Sequence, residues 1–122
     1  MWRERALKIV LVLVGLLFST AVYPLAVFFG QEPALAMMLS LYVTLGIFLL
    51  VASRNPSANR SLIAFTAWSS LAHAAVMAVQ ASRHLIARGE LLGVAALVII
   101  GVALIALAPA KQPVKKALAV TA

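Results

Sequence analysis

The chain reads as four long apolar runs separated by short polar breaks. The runs span about residues 6–29 (ALKIVLVLVGLLFSTAVYPLAVFF), 33–52, 61–82 and 90–108. Each is close to the roughly 20 residues a helix needs to cross the hydrocarbon of a bilayer. A helix satisfies its own backbone polar groups, which is what allows it to sit in lipid. The breaks Gly30-Gln31-Glu32-Pro33, Ser53 to Arg60 and Arg83 to Gly89 collect turn formers. Pro33 is placed to start the second helix, and Glu90 puts a negative charge on the positive N-terminal end of the fourth. Pro24 lies inside the first run and cannot donate to the carbonyl of Thr20, which predicts a kink. Ser19 and Ala21 fit a small-x-small cleavage pattern, but the apolar character continues to Phe29, longer than the roughly 7 to 15 residues of a signal-peptide core. The pattern predicts an all-α fold: an integral membrane four-helix bundle, one domain over residues 1–122, ending in a short basic tail at 109–122.

Composition narrows the class further. Of 122 residues, 65% are hydrophobic and 11% charged, whereas a soluble domain is about half apolar and a quarter charged. A soluble enzyme with its own core, a nucleic-acid module and a disordered tail are excluded together. The 10 Lys and Arg against 3 Asp and Glu give a formal charge of +7, which in a soluble chain would suggest nucleic acid. Here every basic residue sits at an end of an apolar run. Arg3, Arg5, Lys8, Arg54, Arg60, Lys111, Lys115 and Lys116 fall on one side, and only Arg83 and Arg88 on the other. That bias places both termini and the Asn55-Pro56 loop in the cytoplasm. The charges of that loop and the tail are fewer than a cluster that reads anionic lipid would carry, so they read as topogenic. The absence of cysteine excludes a disulfide framework, a thiolate metal site and an iron–sulfur cluster within the chain.

The informative residues are the polar ones inside the spans, because each is costly in lipid. Along the third run, Thr66, Ser69 or Ser70, His73, Met77, Gln80 and His84 recur at steps of three and four and share a face. A second set, Ser70, Ala74, Ala78 and Ser82, steps by four and predicts a small-residue ridge for close helix packing. His73, near mid-span, is the one ionisable side chain deep in the membrane. It reads either as a neutral imidazole bonded to a neighbouring helix or as a relay, haem ligand or donor to a small ligand. With Tyr23, Tyr42 and Gln80 it forms a candidate ligand-binding set. Ser19, Thr20, Ser40 and Thr44 are further polar groups at similar depth. The fourth run has only aliphatics with Gly93 and Gly101 after Glu90, so it reads as a packing and lipid-facing element. Trp2 reads as an interfacial anchor and Trp68 as packing.

No catalytic constellation, metal-ligand cluster or cofactor motif is present: Ser69 and Ser70 near His73 have no carboxylate at that depth to complete a triad. The expected partners are the lipid bilayer and either a second copy or another membrane subunit, with no nucleic acid. Three function classes compete. They are a non-enzymatic accessory or self-associating bundle, a small-ligand or quinone binder near His73, and a small transporter. The last is disfavoured because Glu4, Glu32 and Glu90 are all terminal to their spans. The stretch Met37 to Leu50, followed by RNPSANRSLIAF, WSS and HAAVMAVQ, resembles a family of small bacterial membrane proteins classed as a domain of unknown function. The resemblance covers nearly the whole chain. It implies a bacterial inner-membrane four-helix protein and no particular activity.

Overall fold

The computed structural model describes residues 2–109, and the basic tail from residue 110 lies outside the described residues. The described chain is helical, with α1 Trp2–Ser19, α2 Val22–Phe28, α3 Pro33–Ala52, α4 Arg60–Ser82 and α5 Leu91–Leu107, and single 3₁₀ turns at Pro56–Asn59 and Arg88–Glu90. These make four segments long and apolar enough to cross a membrane, α1 and α2 together forming the first. Many large apolar side chains along them, including Leu13, Leu41, Phe65 and Ile99, are exposed on the outer faces. In water such a surface would aggregate, and in lipid it is the natural outer face.

The first span breaks where a kink is predicted. Pro24 falls at the third residue of α2, inside the first turn, where a helix has no acceptor for that N–H in any case. The Thr20 carbonyl is not orphaned as the sequence suggests: it accepts the Tyr23 N–H at 3.1 Å, one residue earlier than α-helical spacing. Two hydroxyls help to open the helix here, since Ser19 donates to the Gly15 carbonyl at 2.7 Å and Thr20 to the Leu17 carbonyl at 2.5 Å. α3 begins with Pro33 at its first turn.

The helices pair as two hairpins. α1 lies tightly against α3 and α4 against α5, while α3 and α4 approach one another closely at few points. Glycine explains both tight pairs. A Cβ on Gly46 would lie 2.7 Å from both the Gly15 carbonyl oxygen and the Ser19 amide nitrogen. A Cβ on Gly101 would meet Leu71 and, at 2.9 Å, the Ala67 carbonyl oxygen. Small residues let helix backbones approach where lipid supplies no hydrophobic drive.

The core gathers toward the end that holds the start of α1 and the end of α5. Leu7, Leu11, Val14 and Phe18 of α1 meet Leu49 of α3, Ile63 and Ala67 of α4, and Ile100 and Leu104 of α5. The same end is tied by arginines. Arg3 donates to the Ala106 and Ala108 carbonyls, each at 3.1 Å, and Arg60 to the Pro109 carbonyl at 3.0 Å. These are carbonyls at and beyond the last turn of α5, where a helix has no internal donors and its dipole favours a cation. Arg3, read from the sequence as a topology signal, caps the last turn of α5, and Arg60 holds the carbonyl two residues beyond it.

At the opposite end α4 closes in a Schellman motif. The Leu85 N–H donates to the Gln80 carbonyl at 2.8 Å and the His84 N–H to Ala81 at 3.1 Å, with His84 in the left-handed position at φ 59. Glycine is the usual occupant of that position.

Candidate functional site

Tyr42 of α3 and His73 of α4 face each other across the seam between the hairpins. The Tyr42 hydroxyl and His73 Nδ1 are hydrogen-bonded, and among the described residues this is the sole bond between side chains of different helices. Five further span hydroxyls donate to carbonyls of their own helices: Ser40 to Met37, Thr44 to Ser40, Thr66 to Leu62, Ser69 to Thr66 and Ser82 to Val79. Such back-bonding satisfies a hydroxyl in lipid without joining two helices.

Aromatic rings hold the pair in place. Phe18, buried in α1, stands edge-on to Tyr42 with centroids 4.9 Å apart and planes at 83°, and Tyr42 meets the His73 ring at 5.5 Å and 61°. The chain Phe18, Tyr42, His73 thus runs through three helices. Tyr42 is half-buried and cannot swing away without losing both neighbours.

Where α3 and α4 part, they leave an apolar groove of about 400 Å³. Leu41, Leu45 and Phe48 line it from α3, Leu62 and Phe65 from α4, with Tyr42, Thr44, Ser69 and His73 as its polar members. That volume is within the roughly 300–1,000 Å³ of small-molecule sites. Nδ1 of His73 is taken by Tyr42, while Nε2 has no partner among the described residues and is not fully buried. One ring nitrogen of a residue that lines a nearly apolar groove is therefore unpaired.

The four candidate ligand-binding residues do not converge. Tyr42 and His73 meet. Tyr23 lies on α2 at 75% exposure, carried outward by the break at Thr20 and Ala21. Gln80, two turns beyond His73, lines a separate groove with Val76, Val79, Arg83 and Leu85.

The predicted packing ridge is buried over half its length. Ser70 and Ala74 are buried, but Ala78 and Ser82 are exposed, and Ala81 is buried in their place. Beside the buried Thr66, Ile63, Ala67, Ser70 and Ala74 step by four, three and four, and Ala81 follows one heptad later, so the contact line follows the coiled-coil seam and not the four-residue row. Trp68, expected in packing, is exposed instead. The crossing at Gly15 and Gly46 is absent from the sequence reading, whose available signal was one glycine in each of two neighbouring runs. Among the described residues no group of three His, Asp or Glu side chains converges on a point.

Comparison with curated proteins and with solved structures gives no match. A family model described as a family of unknown function, DUF6632, matches residues 3–119. This helical chain, with its Tyr42–His73 pair in the seam between two hairpins, belongs to that family.

Proposed function

We propose that the protein is a non-enzymatic membrane bundle that takes an apolar small molecule from the bilayer into the α3–α4 groove. One observation carries this reading: a mid-span imidazole with one nitrogen bonded to Tyr42 and the other free, in a groove the size of a small ligand. A polar atom left unpaired in an apolar setting costs about 1–3 kcal/mol, and a ligand that pairs with it recovers part of that cost. The test is to purify wild-type protein and a groove-filling Ser69→Phe variant in lipid nanodiscs and identify bound molecules by mass spectrometry. A lipophilic molecule enriched over bulk phospholipid in the wild type and absent from the variant supports the reading. Phospholipid alone in both defeats it.

An accessory or self-associating role is the second reading, favoured by Ala78 and Ser82, small residues left exposed on α4. A second copy could approach there closely. Cross-linking through cysteines placed at Ala78 would yield dimers if it does, and monomers throughout would count against it. A transporter is the weakest reading, since Glu4, Glu32 and Glu90 all lie at helix ends. We further place the protein in a bacterial inner membrane with both termini cytoplasmic, on the bias of Lys and Arg. A reporter that is active only in the periplasm, fused at the C-terminus, would be silent in that orientation.

A further inference from the structure

We infer that the α3–α4 groove selects lipid-phase molecules bearing a carbonyl oxygen, a quinone head group being the simplest example. This inference rests on the groove being a binding site and adds the chemical class of its occupant. The argument starts from the Tyr42–His73 bond. A neutral imidazole has one N–H and one bare nitrogen. If Nδ1 carried the proton and donated to Tyr42, the phenolic O–H would lack an acceptor and Nε2 would lack a donor, since neither atom has another partner among the described residues. If the Tyr42 O–H donates to a bare Nδ1, only the Nε2–H is left over. The second arrangement strands fewer groups in an apolar place, so Tyr42 fixes the tautomer and makes Nε2 a donor.

A donor calls for an acceptor, and depth decides which acceptors can arrive. His73 lies two residues past residue 71, the middle of α4 (Arg60–Ser82), or about 3 Å along the axis. Phospholipid ester carbonyls stay near the edge of the hydrocarbon, about 15 Å from its centre. They cannot reach Nε2, whereas a molecule dissolved in the bilayer interior can. The remaining polar lining, Thr44 and Ser69, already donates to its own helix, so the ligand meets a single directed donor in an apolar slot.

Three probes of similar shape test this in nanodiscs of a neutral phosphatidylcholine: decylbenzoquinone, which accepts; decylbenzene, which does neither; and a decylindole, which only donates. After correction for partitioning, the wild type should bind the quinone about 3- to 10-fold more tightly than decylbenzene, the worth of one net hydrogen bond, and the indole no better than decylbenzene. The ¹⁵N spectrum of His73 in the wild type should show a protonated Nε2. Tyr42→Phe frees the tautomer, so the quinone advantage should shrink and indole binding rise. Equal binding of quinone and decylbenzene, or a wild-type spectrum with protonated Nδ1, overturns the carbonyl class while leaving the groove as a binding site. If no probe binds better to the wild type than to Ser69→Phe, the binding site itself falls.

Discussion

The two ends of the bundle are built on different terms. At one end, where α1 starts and α5 finishes, Leu7, Leu11, Leu49, Ile63 and Leu104 are almost wholly enclosed and two arginines hold carbonyls at and just beyond the end of α5. At the other end α2 has no buried residue, the 3₁₀ turn at Arg88–Glu90 has none, and beyond Ala74 α4 buries only Ala81. The difference teaches where this protein keeps its stability and where it has room. Leu62 and Phe48 mark the groove's edge nearer the packed end, and Leu41 and His73 its reach toward the loose one, so the groove lies at the transition. A rigid scaffold beside a less constrained region is the usual arrangement for sites that admit ligands.

The contrast can be broken by putting the same change at both ends. Gly46→Leu should have the largest effect, costing about 3 kcal/mol, because the new side chain collides with backbone that cannot yield. Gly30→Leu, where nothing lies within 4 Å, should be nearly neutral. Thermal unfolding of both variants in detergent measures the gap. Leu11→Ala should come next, at about 2 kcal/mol, with the cavity cost retained and the transfer cost reduced because lipid is itself apolar. Leu92→Ala at the loose end, where the side chain is 80% exposed, should stay within about 0.5 kcal/mol by the same measurement.

Smaller changes sharpen the comparison. Replacing Arg3 and Arg60 together with Gln should cost about 1 kcal/mol and speed amide exchange in the last turn of α5, leaving α4 near Ala81 unaffected. His84→Gly should stabilise the loose end by about 0.5 kcal/mol, since glycine takes a positive φ without strain. A raised melting temperature checks it, and a lowered one would show that the His84 side chain contributes more than its backbone strain removes.

What the sequence shows and hides follows from range. The spans and their turns are legible because lipid imposes a minimum apolar length and Pro33, Gly30 and Pro56 mark the ends locally. Ser70 and Ala74 are legible as a packing face because both the four-residue row and the three-four seam pass through them. Ala78 and Ser82 separate those patterns, and only the crossing angle of α4 on α5 decides between them. Tyr42 and His73 could be nominated singly but not paired, since their meeting depends on how one hairpin sits on the other. Tyr23 and Gln80 fail for the same kind of reason: depth along a span is readable, whereas the direction a side chain takes around the bundle is not. The capping by Arg3 was hidden most fully, because its acceptors lie 103 and 105 positions away.

That separation has a consequence for how the molecule is completed. Each hairpin can pair within itself as soon as its second helix is inserted, but Arg3 and Arg60 have nothing to grip until the final helix arrives. These contacts form only once residues 106–109 are in place, so they close the bundle after its four spans are made. A nascent protein stalled before Ala106 would carry two guanidinium groups without these acceptors, and its first and last spans would remain unlatched.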